Sequence, residues 1–405
     1  RLAGRYRPEM LLGEAAEGLL GTGRDALASG AADGVLTLTV PAARSGGPQY
    51  VLAFDSPLAG LALRLPEPFG KRADEKRPLA LKVEVGAHER ARLTASYGRE
   101  LRALIDLADF PQAPRIERGD LRYGTGAPRL PAEPGLRASL ALAHYAPLAA
   151  TPGAGRTGTP DNQPAPFAPP ALPAWLKRVD AKFGELELGG QRFEQLAASA
   201  MPDKGGGLRV DFDGPGLLGS VRVPAQPGPA APLRVELQRL SLRRTPDEAA
   251  AAPAADGRRN PGPAAPAAAP EAPPGDPRGL PPLRITVDDL RLDGRGLGRF
   301  TLSADPVPGG LAVPEGGLGL HGTGHDLDGH GDWLLTPAGP RTRFAFTLKS
   351  AAIGDTLAAL GYDPGIQRGQ GTVTAELAWP RSVDALELAA LEGWLHADIG
   401  EGQLL

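Results

Sequence analysis

Three histidines and three aspartates fall within twelve residues: His321-Gly322-Thr323-Gly324-His325-Asp326-Leu327-Asp328-Gly329-His330-Gly331-Asp332. Imidazole and carboxylate groups this close could hold zinc or another divalent metal. The spacing matches no defined ligand set, and the His-Glu-x-x-His pattern is absent. The run is therefore expected to be a glycine-rich turn between two strands, with its polar side chains in water and no metal. Nucleophile chemistry fares no better. There is no Gly-x-Ser-x-Gly elbow, and cysteine is absent, which removes thiol catalysis, thiolate metal sites and disulfides together. The glycines of Gly294-Arg295-Gly296-Leu297-Gly298 precede no helix that could present an N-terminus to phosphate. With six histidines and no cysteine, the inventory for catalysis is thin. Neither an enzyme nor a cofactor is expected.

The formal net charge of −3 over 405 residues argues against nucleic acid as a partner, because phosphate binding needs concentrated Lys and Arg. Glycine (55) and proline (44) make up about a quarter of the chain, well above ordinary usage, so many short elements joined by turns are expected. No apolar stretch is long enough to span a bilayer as a helix. The chain runs from Arg1 to Leu405 and is expected to be a piece of a longer protein, with any membrane anchor outside it.

The elements that would position side chains are mostly strands. Leu79, Leu81, Val83 and Val85 alternate with Lys82 and Glu84, which places the apolar set on one face and the charges on the other. Leu36, Leu38 and Val40 follow the same rule, as do Leu61, Leu63 and Leu65 around Arg64. In the second half, Ile285, Val287, Leu290, Leu292, Phe344, Phe346, Leu348, Val373 and Leu377 are expected on the apolar side, with Arg291 in water. Helical spacing marks only 11–28 (Leu11, Leu12, Ala15, Leu19) and 352–361 (Ile353, Leu357, Leu360). The tracts 149–170 and 245–282 are rich in Pro, Ala and Gly and are expected to be disordered loops. A repeat joins the two halves. Leu186, Leu188, Gly190, Phe193, Leu196, Ala198, Ala200 and Pro202 recur 104 residues on as Leu290, Leu292, Gly294, Leu297, Phe300, Leu302, Ala304 and Pro306. The expected organisation is a β segment at 1–148 with a short N-terminal helix, the loop 149–170, a β repeat at 171–244, the loop 245–282, and a second repeat with a further β segment at 283–405.

So much one-sided apolar strand needs a cover. Either a second sheet packs on it, or the sheet curls into a trough whose lining meets a lipid. Periodicity does not choose between them.

The segment Leu58-Ala59-Gly60-Leu61-Ala62-Leu63-Arg64-Leu65-Pro66-Glu67-Pro68-Phe69-Gly70-Lys71, followed by Arg77-Pro78-Leu79, resembles a hallmark of the YhdP-type AsmA-like family. Leu280-Pro281 through Gly298, Gly331-Asp332-Trp333, Leu360-Gly361-Tyr362, Leu377-Ala378-Trp379-Pro380 and Leu391-Glu392-Gly393 resemble later blocks of that family, in order. The two Pro/Ala-rich tracts and the histidine-bearing turn depart from it. The resemblance implies an elongated, twisted and curved antiparallel sheet forming an apolar groove, with few short helices. It implies a parent protein anchored in the inner membrane of a Gram-negative envelope. The periplasmic groove would convey phospholipids toward the outer membrane, its partners being acyl chains and the two membranes. A sixteen-carbon chain moved through water exposes about 12 kcal/mol of hydrophobic cost, at about 0.8 kcal/mol per methylene. A continuous apolar trough would remove most of it. The nineteen apolar residues named above would line that trough. The competing possibilities are a structural or interaction module regulating outer-membrane assembly, and a hydrolase built on the His/Asp turn.

Overall fold

The computed structural model describes residues 1–6, 28–42, 47–65, 67–146, 173–244, 276–337, 339–360, 366–383, 390–400 and 402–404. It divides into two compact units. The first comprises Arg1–Leu148, Leu172–Leu188 and Arg192–Pro202, and the second includes Asp203–Leu405. Both are mainly β, as the alternation predicts. The expected helix at 11–28 lies outside the described residues, apart from Ala28 in the first short strand pair.

The first unit contains β1 (Leu2–Tyr6), β2 (Ala28–Gly30), β3 (Ala32–Thr39), β4 (Tyr50–Ser56), β5 (Leu61–Leu63), β6 (Leu79–Val85), β7 (Ala91–Tyr97), β8 (Leu101–Ala108), β9 (Arg115–Tyr123), β10 (Gly135–Tyr145), β11 (Leu176–Leu188) and β12 (Gln191–Pro202). Ten of these pair side by side in the order β1-β3-β4-β6-β7-β8-β9-β10-β11-β12, and β2 pairs with β5 apart from them. The second unit contains β13 (Leu208–Asp213), β14 (Leu217–Val223), β15 (Leu233–Leu242), β16 (Leu283–Leu292), β17 (Arg295–Val307), β18 (Gly310–Gly322), β19 (His325–Thr336), β20 (Gly339–Ser350), α1 (Ile353–Ala359), β21 (Ile366–Arg368), β22 (Gly371–Trp379), β23 (Glu392–Ile399) and β24 (Gly402–Leu404). Its main order is β13 to β20, then β22 and β23. Helix α1 stands where the i, i+4, i+7 spacing places it.

Most neighbours are antiparallel. The pairs β9–β10, β10–β11 and β15–β16 are parallel. Parallel strands need a long crossover connection rather than a tight turn. The two Pro/Ala-rich tracts fall in the connections of β10–β11 and β15–β16, which locates them in the topology. Residues 149–170 and 245–275 themselves lie outside the described residues. The end of the second tract differs from the expected loop. Pro277–Gly279 forms a 3-10 turn, capped by Asp276 accepting from Arg278 N at 3.0 Å, and Pro277 is fully buried.

The internal repeat folds as the same hairpin twice. Its turns are Gly189-Gly190 (φ 55° and 74°) between β11 and β12, and Asp293-Gly294 (φ 50° and 81°) between β16 and β17. Two positive φ values in succession are what a tight two-residue hairpin of native twist requires. Glycines also mark bulges. Gly219 stands at the register shift of β14–β15, Gly298 at that of β16–β17, and Gly316 at that of β18–β19. Bulges bend a strand and strengthen its twist.

Candidate functional site

Residues directly opposite in a ladder share a face, and successive residues alternate. In the first unit, one row runs Leu36, Phe54, Leu81, Ala95, Ala103, Leu121, Ala138, Val179 across eight strands. The next row on that face begins Leu38, Leu52, Val83, Leu93, Ile105. The intervening row on the opposite face reads Thr37, Ala53, Lys82, Thr94, Leu104, Asp120, Arg137, Arg178.

The second unit separates its faces more completely. Val210, Val221, Val235, Ile285, Leu302, Leu318, Gly329, Phe346, Ala375 and Leu395 form one unbroken row over ten strands. The adjacent row on the other face is Asp211, Ser220, Glu236, Thr286, Thr301, Gly319, Asp328, Thr347, Thr374 and His396. It contains no apolar side chain larger than glycine's hydrogen.

Ile285, Val287, Leu290 and Leu292 change parity between 287 and 290, yet remain on one face. The register shift of β16 lies between Val287 and Leu290, and Leu237 and Leu240 of β15 make the matching jump. Without those irregularities a one-residue slip would turn Leu290 and Leu292 to the polar side. Phe344, Phe346 and Leu348 stand opposite Leu377, Ala375 and Val373 on the same face. Phe344 lies against Gly331, where an added Cβ would approach its Cδ1 to 2.7 Å.

Most large side chains of these rows, Leu36, Leu81, Val83, Leu302, Leu318 and Phe346 among them, are half-buried, whereas Phe54 is buried and Leu395 is exposed. Val287 and Leu348 are buried, and Leu38 is 57 % exposed. Val40 and Leu65 lie beyond their strands at 72 % and 39 % exposure. Leu61 and Leu63 belong to β5, paired with β2 rather than with the main order of strands. Leu61 is buried with Ala32 and Leu58, and Leu63, Leu79 and Tyr97 pack against that cluster. Arg64, Lys82 and Arg291 are exposed, as expected, and Lys82 pairs with Glu84 at 2.8 Å.

Both ends of the strands are occupied. In the first unit, Ala32, Leu58 and Leu61 close one end with Leu79 and Tyr97. Val85, Ala91 and Leu107 close the other with Phe110 and Ile116. In the second unit, Ile353 of α1 is 1 % exposed and lies 3.5 Å from where a Cβ on Gly371 would stand. At the opposite end the Trp379 ring stacks on Phe344 at 6.3 Å while its Nε1 donates to Ser382 O.

The His/Asp run forms the hairpin β18–β19, and its side chains diverge. His321 faces Asp326 at 3.1 Å and Asp328 at 3.6 Å on the polar side. His325 is buried, with Nε2 2.9 Å from Leu297 O. His330 is exposed, and Asp332 pairs with Arg343 at 2.8 Å. Three potential ligands do meet at His144, Glu185 and Glu187, but Arg192 already lies 3.1 and 3.3 Å from the two carboxylates.

Sequence reasoning missed the ring of contacts around Lys71, which is 6 % exposed. Its Nζ donates to Leu58 O and Arg72 O, each at 2.8 Å, and to Leu61 O. Burial pushes its ammonium below the ordinary lysine value. The signal available was one lysine closing a mostly apolar hallmark segment, after Arg64 and Glu67.

No helix among the described residues is long and apolar enough to cross a membrane. A search of curated proteins and a search of solved structures each returned no match. A family model described as YhdP protein matches residues 13–405, nearly the whole chain, so the chain belongs to the YhdP family.

Proposed function

We propose that this chain is a segment of a conduit that carries phospholipid acyl chains across the periplasm between the inner and outer membranes, as part of a protein anchored in the inner membrane. The observation that carries the proposal is the row from Val210 to Leu395, whose large side chains are half-buried or, at Leu395, exposed, beside a row with no apolar side chain. An ordinary core would bury such residues. Partly exposed, contiguous apolar surface marks a place where another apolar molecule sits.

The occupied strand ends give the path its direction. Acyl chains would run across the strands, from one strand to its neighbour, between the two side walls. In β6 the walls begin at Leu79 and Val85, roughly 20 Å apart at about 3.3 Å per residue. No catalytic group is needed. The chain's role is to replace water around the methylenes with Leu, Val, Ile and Phe side chains, while the polar row keeps the reverse face hydrated.

A photo-reactive benzoylphenylalanine at Leu302, compared with one at Thr301 on the opposite face, tests this. After incubation with phospholipid vesicles, lipid adducts are expected at 302 and not at 301. A structural module that carries no lipid predicts adducts at neither position.

A further inference from the structure

We infer that the strap from Pro57 to Pro78, fixed by Lys71, is a permanent side wall of the first unit's apolar face and determines which rows a lipid touches. The inference rests on the lipid-conduit proposal. It assigns Lys71 as a positioning residue and Phe69 as the wall's contact side chain.

The strap crosses the apolar face at one end of the strands. Leu58 and Leu61, each 3 % exposed, press on Leu79 and Tyr97. Phe69 meets the Tyr123 ring edge-on at 5.1 Å. Tyr97 and Tyr123 both face Leu101 in the ladder, so the strap reaches over β6, β7, β8 and β9 along a single row. Its hydrogen bonds are those of a fixed element. Leu63 and Lys71 exchange backbone bonds at 2.9 and 3.0 Å, and Gly60 N donates to Ala73 O at 2.7 Å. Arg77 donates to Pro68 O at 2.6 Å and lies over the Tyr97 ring, and Tyr97 OH donates to Phe69 O at 3.0 Å. A movable lid has few buried apolar contacts and solvent-exposed backbone bonds. The parts of this segment that meet the sheet, Leu58 to Leu63 and Phe69 to Lys71, have the opposite character, with Leu58, Leu61 and Lys71 buried, while Arg72 to Lys76 is exposed.

Lys71 explains why the strap holds its shape. An ammonium has three donors, and here three carbonyls from residues 58, 61 and 72 take all of them. Removing the charge takes a charge-assisted bond from each of the three carbonyls, although Leu58 O still accepts from Leu61 N at 3.4 Å and Arg72 O from Glu75 N at 3.3 Å, and losing such bonds is costly. Phe183 lies on the far side of the wall, level with Leu142 and beyond the row of Tyr123 and Leu140. Leu93 lies on the near side, level with Val83.

The test places benzoylphenylalanine at Leu93 or at Phe183 and exposes the full chain to vesicles of phosphatidylethanolamine and phosphatidylglycerol under light. With Lys71 present, lipid adducts are expected at 93 and at least tenfold fewer at 183. With Lys71→Met, adducts at 183 are expected to approach those at 93. Where Lys71→Met fails to fold, Phe69→Ala opens the wall at Tyr123 while leaving the lysine's bonds in place, and the same rise at 183 is expected. Equal adducts at both positions in the unaltered chain overturn the wall. So does a folded Lys71→Met or Phe69→Ala chain with 183 still silent. Adducts at neither position in the unaltered chain overturn the lipid reading of this unit and the wall with it.

Discussion

Replacing Leu81 with Asp separates a lipid-bearing face from a packed core. Leu81 stands between Phe54 and Ala95 in the first unit's apolar row and is half-buried. Losing half of a leucine's full burial costs about 1 kcal/mol, and a carboxylate there stays in reach of water, so the chain is expected to fold. A lipid pays more. Each strand occupies about 4.8 Å of the path, which is about four methylenes. At about 0.8 kcal/mol each, those methylenes forfeit about 3 kcal/mol when they face a charge that must stay hydrated. That is roughly a hundredfold loss of occupancy. Lys82→Asp, one residue away on the opposite face, is the control. The assay pairs thermal melts with phospholipid co-purified per mole of protein. Leu81→Asp is expected to melt within a few degrees of the unaltered chain and lose its lipid, with Lys82→Asp keeping both. A Leu81→Asp chain with normal melting and normal lipid content refutes the assignment of this face. A chain that simply unfolds points to a closed core.

Val287 is 1 % exposed on the same face as Ile285, so Val287→Asp is expected to behave as a core lesion, destabilising by about 3–5 kcal/mol in denaturant titration. Gly331→Ala would bring a Cβ to 2.2 Å from Arg343 O and 2.7 Å from Phe344, and a loss of about 1–3 kcal/mol is expected in the same measurement. Asp276 is held below the ordinary carboxylate value by the side-chain hydrogen bond from Arg278, and Asp293 by the Arg244 backbone N–H and then its guanidinium. A folded-state value lowered in this way gives stability that is present above the unfolded value of 3.8 and is lost as pH falls through the folded one. Carbon-detected NMR should place both midpoints below 3.8, and midpoints at or above it contradict these pairings.

The apolar face was legible where a strand alternates without interruption, as in Leu79–Val85 and Phe344–Leu348. Leu290 and Leu292 could not be joined to Ile285 and Val287 by strict alternation, because that needs the register shift in β16 between Val287 and Leu290, which local pattern does not reveal. Leu61 and Leu63 show the limit of local pattern. Their alternation is real, but periodicity carries no information about the pairing partner, and β5 joins the strap. Leu38 and Val40 continue an alternating run to where β3 stops and solvent begins. Parallel pairing was invisible because it depends on where the connections return. Lys71 was hidden by its charge, since a lone lysine reads as surface until three carbonyls are seen to converge on it.

The most direct test of the central claim is quantitative lipid analysis of the purified chain, by organic extraction, phosphorus determination and mass spectrometry, after expression in a Gram-negative periplasm. The conduit account predicts at least one phospholipid per chain that survives gel filtration and is displaced by excess vesicles. A folded chain that carries no lipid and gains none from vesicles contradicts it.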